Sequence, residues 1–179
     1  MRIVLSGGPG AGKTALLEEL RHRGYACSAE VARRIIQQQV GAGGDALPWA
    51  YREKYARLML EASVESWKAD AIAGAVTFFD RGIPDTLCYA RLVGLSTDLE
   101  QTTEECCRQY RYWHRVFLAP PWREIYETDA ERKQDFEEAI RTYDLMARTY
   151  AGCGYEVVPL PLTPVAERAD FVLAAIANG

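Results

Sequence analysis

Short apolar runs alternate along the chain with longer stretches in which apolar residues recur every three or four positions. The runs Arg2–Leu5, Tyr25–Ala29, Val76–Phe79, Arg115–Ala119 and Tyr155–Pro159 are each bounded by Gly, Pro or charged residues. This rhythm predicts β-α units around a parallel sheet. The first, third and fourth runs are rich in the Val, Ile, Leu and Phe that strands buried on both faces require, and Tyr25–Ala29 has the weakest pattern. Helices are expected between them. Lys13–Arg23 sets Leu16, Leu17 and Leu20 on one face and stops at Gly24, and Val31–Val40 stops at Gly41. Trp49 to about Ala71 carries two stripes, one of Tyr51, Tyr55, Leu58 and Ala62 and one of Leu60, Val64, Trp67 and Ala71, so it should pack on two sides. Pro84 to about Val93 opens on a proline suited to a first turn, and Leu99 to about Tyr112 is expected to be capped by Thr97 or Asp98. Segments of about Ala130–Ala151 and Val165–Ala177 complete the set.

A length of 179 residues fits one domain spanning 1–179, with a core large enough to need no disulfide or metal. Lys and Arg total 21 against 25 for Asp and Glu, a net charge of -4, so nothing in the overall balance points to a polyanion, and nucleic acid is not an expected partner. The 5 cysteines are odd in number and lack the paired spacing of a zinc or redox motif, which reads as reduced thiols in a cytoplasmic protein. The adjacent Cys106 and Cys107 read as helix packing. Ile3-Val4-Leu5 is too short for a signal-peptide core, and no apolar run approaches the length of a transmembrane segment.

Candidate chemistry concentrates after the first run. Gly7-Gly8-Pro9-Gly10-Ala11-Gly12-Lys13-Thr14 matches the phosphate-loop (Walker A) pattern in full, following an expected strand and opening an expected helix. Glycines leave room for successive backbone N–H groups to face phosphate oxygens, and the helix N-terminus adds partial positive charge aimed at the same anion. In such a loop Gly8 to Gly12 form the cradle, Lys13 brings a full charge to the β and γ phosphates, and the Thr14 hydroxyl ligates Mg²⁺. A Gly-rich turn that merely joined strand to helix would have no use for a lysine and a hydroxyl at this register. A second Mg²⁺ anchor is expected at the end of a neighbouring apolar strand, and Asp80 after Val76–Phe79 fits, although a strand-end aspartate also caps helices. Arg81 follows at the carboxyl edge of the sheet, where open α/β sheets bind ligands, and is expected to contact a phosphate or substrate or to pair with the adjacent carboxylate.

With GGPGAGKT at the first turn, FFDRGIPDT after the third run and RVFLAPPW at the fourth, the chain resembles a family of small AAA-domain P-loop ATPases. These are similar to nicotinamide riboside kinase domains and, more broadly, to nucleoside and nucleotide kinases. AEVARRII at residues 29–36 and the segment beginning at Lys133 extend the resemblance over nearly the whole chain. It implies a three-layer α/β/α fold: a five-stranded parallel sheet in the order 2-3-1-4-5, the phosphate loop on the central strand and a mobile lid over residues 120–134. It also implies a carboxylate just after the second strand that accepts the substrate's hydroxyl proton, a position held here by Glu30. A glutamate in a first helical turn is equally what the helix dipole favours, and both readings of Glu30 stand. Arg33 and Arg34 either reach the cleft or form a solvated face. Relatives close lid arginines over the transferred phosphoryl group. Arg132 is the first candidate and Arg123 the second, against the alternative of exposed i,i+4 pairs. No base-reading motif is recognisable near Pro159–Thr163.

The function expected is Mg²⁺-dependent transfer of the γ-phosphoryl group of ATP or GTP to an unidentified small-molecule acceptor. Its alternative is a nucleotide-dependent switch or regulatory NTPase that binds a protein or lipid. A third reading, an NTPase acting on nucleic acid, is disfavoured by the acidic charge. Trp49, Tyr51, Tyr55 and Trp67 are expected in the core, with Trp49 and Tyr51 the exceptions if any line a pocket. His22 and His114 are expected to be surface or packing residues.

Overall fold

The computed structural model describes residues 1–69, 75–125 and 136–178. Strands β1 (Arg2–Gly7), β2 (Ala26–Cys27), β3 (Thr77–Asp80), β4 (Arg115–Ala119) and β5 (Glu156–Pro159) form one parallel sheet in the order β2-β3-β1-β4-β5. This is the order the sequence implied, and the fold is the α/β P-loop fold. The helices are α1 (Lys13–His22), α2 (Val31–Ala42), α3 (Arg52–Ala69), α4 (Ile83–Val93), α5 (Thr97–Gln109), α6 (Phe136–Gly152) and α7 (Val165–Ala177).

Alternation along each central strand sorts the core into two layers. Ile3, Leu5, Phe78 and Phe117 join Leu16, Leu17 and Leu20 of α1 and Ala169 and Val172 of α7 in one cluster. Val4, Phe79 and Val116 point the other way, into Ala56 and Leu60 of α3, Ile83 of α4, Leu99 and Cys107 of α5 and Tyr150 of α6. Ile3, Val4 and Leu5 are all fully buried, which explains why the first strand reads as an unbroken apolar run. Helix α2 is held less firmly. Only Ile35 of that helix is buried, in a small separate cluster with Tyr55 and Met59 of α3.

Several boundaries differ from the sequence expectation. β2 is two residues long rather than five, because it lies at the edge of the sheet and pairs with β3 alone among the described strands; the Ser28 N–H donates to the Phe78 carbonyl at 2.8 Å before the chain turns at Glu30 into α2. α5 starts earlier than expected, since Ser96, not Thr97 or Asp98, is the cap and its hydroxyl accepts from the Leu99 N–H at 3.4 Å. The Ala50 and Tyr51 N–H groups turn back to the Leu47 and Asp45 carbonyls, delaying α3 to Arg52. Trp49 and Tyr51 are thereby exposed, at 66% and 52%, whereas Tyr55 is buried. The expected start of α6 at Ala130, the end of α3 at Ala71 and lid residues Arg132 and Lys133 lie outside the described residues. None of the described helices is long and apolar enough to cross a membrane.

Candidate functional site

The loop between β1 and α1 is fixed at both roots. Gly7 has φ +140°, and a Cβ there would lie 2.6 Å from the Ala119 carbonyl oxygen on β4, so only glycine lets β1 leave the sheet at this point. Gly12 has φ +74°, and a Cβ on it would meet the Arg168 guanidinium at 2.8 Å. It caps α1 without any side-chain hydrogen bond, which leaves the first-turn N–H groups of the helix to an anion. Lys13 is buried, and its ammonium donates to the Gly7 and Gly8 carbonyls at 2.7 and 2.8 Å. Burial, reinforced by the nearby positive charge of Arg81, lowers the Lys13 pKa to about 7 against the pull of Asp80, Glu30 and Asp85. Pro9 and Thr14 are exposed, whereas Ala11 is buried.

Arg81 is the counterpart of this loop at the end of β3. Its N–H donates to the Leu5 carbonyl at 3.0 Å, extending the β1–β3 pairing by one step. It then takes a φ of +70°, a left-handed conformation that a residue with a side chain rarely adopts outside tightly determined sites. This turn aims the guanidinium back between two carboxylates, donating from Nε to Glu30 Oε1 at 3.1 Å and from Nη1 to Asp85 Oδ1 at 3.2 Å. Burial opposes its charge, but Asp85, Glu30 and Asp80 outweigh burial and raise its pKa. Burial likewise opposes the charge of Glu30, and Arg81 overrides it, so Glu30 titrates below its ordinary range. Asp80 behaves oppositely, because burial raises its pKa further than Lys13 can lower it.

Asp85 ties the region together. Its carboxylate accepts from the Ser6 hydroxyl at 2.6 Å, the Gly82 N–H at 2.8 Å and the Tyr150 hydroxyl, in addition to Arg81. β1, the turn before α4 and the body of α6 therefore converge on one buried side chain. Beside it runs a cleft lined by Val31 and Ala32 of α2, Met59 and Ser63 of α3, Asp80 and Arg81. Its cavity volume is about 20 Å³, room for about one water molecule.

Asp80 Oδ1 is buried and has no hydrogen-bond partner among the described residues. A buried carboxylate oxygen left unpaired costs stability unless something else meets it, and a hard cation is a fitting partner for it, since such cations bind oxygen donors. Asp80, with the Thr14 hydroxyl at the start of α1, offers oxygen donors of the kind a Mg²⁺ ion takes.

The sequence matches the AAA domain family across residues 2–168. The chain belongs to that family. Among curated proteins none matches it in sequence. Solved structures similar to this AAA domain include a NadR protein in complex with NR, with TM-score 0.71 and 21% identity, covering 97% of this chain and 50% of that one. A NadR protein with NAD and AMP-PNP aligns equally well, at 21% identity and TM-score 0.71, over 97% of this chain and 48% of that one. The AAA domain thus spans about half the length of the NadR chains it resembles. Deoxyadenosine kinase from M. mycoides with bound dCTP aligns over 100% of both chains, at 13% identity and TM-score 0.64.

The AAA domain brings Lys13, Glu30, Asp80 and Arg81 into one charged cluster, with the loop Gly8–Thr14 alongside. Glu30 is spent on Arg81 and, at 3.6 Å, on Arg33, so Arg33 does not enter the cleft; Arg34 is exposed. Arg123 sits in a short 3-10 turn and lies over the Phe136 ring at 4.3 Å, while Arg132 lies outside the described residues. Sequence reasoning missed Asp85 and Arg168. Asp85 had a local signal, an acidic residue three positions into a helix beginning after Gly82. Arg168 had one as well, because it shares an apolar stripe of α7 with Val165 and Val172, where a charge demands a partner.

Arg168 is 4% exposed and donates to the Ala11 and Gly12 carbonyls at 3.3 and 3.4 Å, with the Trp122 ring 5.7 Å away. Replacing it by methionine should keep the apolar packing of the stem while freeing two loop carbonyls. The expected cost is about 1–3 kcal/mol. Urea unfolding monitored by circular dichroism measures this, and an unchanged midpoint would remove Arg168 as a loop support.

Proposed function

We propose that this chain is a Mg²⁺-dependent nucleotide-binding phosphotransferase that passes the γ-phosphoryl group of ATP or GTP to a small-molecule acceptor. The observation that carries the reading is the coincidence of a phosphate loop with the Glu30–Arg81–Asp85 ion-pair cluster beside a cleft, all at the carboxyl edge of β1 and β3. Catalysis of phosphoryl transfer is mostly positioning and electrostatics, and this cluster is built for both.

The backbone of residues 8–14 and the Lys13 ammonium hold the phosphate chain. Thr14 and Asp80 would hold Mg²⁺, which when bound neutralises charge on phosphate oxygens. Arg81, fixed by two carboxylates, orients the acceptor. Glu30, kept ionised by Arg81, takes the proton of the acceptor hydroxyl, and Arg132 closes from the lid. An acceptor larger than a water enters the cleft only when α2 and α3 draw back from β3, and α2, with Ile35 its one fully buried residue and Val31, Ala32 and Ile36 only partly buried, is the element freer to do so.

The alternative, a nucleotide-dependent switch, draws support from that same narrowness, since a cleft that never opened would hold no acceptor. Labelled ATP or GTP offered with a panel of nucleosides, nucleotides and other hydroxyl-bearing metabolites separates the two. A phosphorylated metabolite is the expected product; release of inorganic phosphate alone would favour the switch. With an acceptor in hand, Glu30→Gln should lower kcat by about 100-fold while nucleotide affinity stays within about twofold. An unchanged kcat would take the proton-accepting role from Glu30.

A further inference from the structure

On the far side of the sheet from α1, a second cavity of about 230 Å³ opens between α5 and the end of α6, lined among others by Arg91, Glu104, Cys107, Arg108 and Cys153. Cys107 lies on the inner side of α5 and is 2% exposed, whereas Cys153, one residue beyond α6, is partly exposed. Both side chains line this cavity, and Cys153 packs against the buried cluster that contains Cys107. A single guanidinium holds both backbones in place. Arg111 Nη1 donates to the Cys107 carbonyl at 3.3 Å and to the Cys153 carbonyl at 2.7 Å, and Nη2 reaches the Gly154 carbonyl at 3.4 Å.

We propose that Cys107 and Cys153 form a dithiol modification site that reacts with hydrogen peroxide or a small alkyl hydroperoxide and closes to a disulfide between α5 and the end of α6. The arrangement assigns the roles. Cys153 has access to the cavity, and its pKa is held below the usual thiol range by the Cys107 hydrogen bond, with Arg91 and Arg111 adding to that effect against burial. Cys107, beside Cys153 and buried, is pushed up and stays a thiol. The cavity exceeds the size of a peroxide many times over. Both side chains open onto one cavity and their carbonyls share one guanidinium nitrogen, so closing a bond of about 2.05 Å needs a local approach of the two side chains and no rearrangement of the fold.

The Cys153 thiolate attacks one peroxide oxygen, the O–O bond breaks, and hydroxide leaves and takes up a proton to become water. Sulfur is oxidised by two electrons to a sulfenic acid as the peroxide is reduced by two. Cys107 then gives up its proton and attacks the sulfenic sulfur; the S–S bond forms, the S–O bond breaks, and a second water leaves. The sum is two thiols and one hydrogen peroxide giving one disulfide and two waters; with an alkyl hydroperoxide the first leaving group is the alkoxide and the products are the disulfide, one alcohol and one water. None of these steps depends on the phosphotransfer reading.

The test is made on the full chain, by mass and not by activity. Protein exposed to a small excess of hydrogen peroxide is quenched with N-ethylmaleimide and digested with trypsin without reduction. The expected dominant oxidised species joins peptide 92–108 to peptide 149–168 within one chain and disappears on treatment with dithiothreitol. Because peptide 92–108 also holds Cys106, the link must persist in Cys106→Ser. In Cys107→Ser the reaction should stop at a dimedone-trappable sulfenic acid on Cys153, and in Cys153→Ser oxidation of Cys107 should slow by about tenfold or more. Even oxidation across all the cysteines, a link to Cys27 or Cys88, or loss of the link in Cys106→Ser would each overturn the proposal, and the first two are read on the unaltered protein.

Discussion

Methionine at position 13 is expected to weaken binding of ATP or GTP by at least about 100-fold while the fold stays intact. The lysine is buried, and its ammonium is the one full positive charge within the loop; charge-assisted hydrogen bonds of this kind contribute about 1.5–3 kcal/mol each. Binding should also carry a proton signature. With the Lys13 pKa near 7, a polyphosphate that favours the ammonium form draws a proton from solvent above that pH, so affinity falls as pH rises past 7. Titration calorimetry in two buffers of different ionisation enthalpy should detect the uptake in the natural chain and not in Lys13→Met. Stability of the free protein shows the opposite sign. Between about pH 7 and 10.5 the unfolded chain holds this proton and the folded chain does not, so stability rises through that window, and Lys13→Met should flatten the rise. Equal nucleotide affinity in the two proteins would remove the loop from the proposed function.

Alanine at position 85 should cost about 3–5 kcal/mol, the largest stability loss expected of any single polar side chain near the site. The carboxylate is 6% exposed and accepts from Ser6, Gly82, Tyr150 and Arg81 together. Its removal leaves buried donors unpaired on β1 and α6 and withdraws one of the two carboxylates that hold Arg81. Tyr150→Phe, which deletes only one of these bonds, should cost about 1 kcal/mol. Urea midpoints for the two variants should therefore differ clearly. A loss below about 1 kcal/mol for Asp85→Ala would mean that Asp85 does not organise the region.

The central architecture was legible because it rests on local patterns. Ile3-Val4-Leu5 reads as a strand buried on both faces, the glycines and Lys13 read as a turn into a helix, and Asp80 ends an apolar run. What could not be read was pairing at a distance. Ser6 and Tyr150 meet Asp85 across 79 and 65 residues, and Arg168 reaches Ala11 across 157. The fragment FFDRGIPDT showed Asp85 only as part of a motif, since its partners are set by how β1 and α6 pack. β2 was drawn too long because apolar content alone does not reveal that a strand lies at the sheet edge. The Ser96 cap was missed because Thr97 and Asp98 are equally good capping types, and only the turn geometry chooses among them.

The tethers on the loop, Gly7 pressed against Ala119, the Lys13 ammonium on the Gly7 and Gly8 carbonyls and the Arg168 guanidinium on the carbonyls at 11 and 12, leave little beyond Pro9 and Gly10 to adapt. A phosphate chain arriving there meets an almost finished mould. The disorder that a slack segment would surrender on gripping its ligand was given up when the protein folded, and the interaction energy is free to appear as affinity.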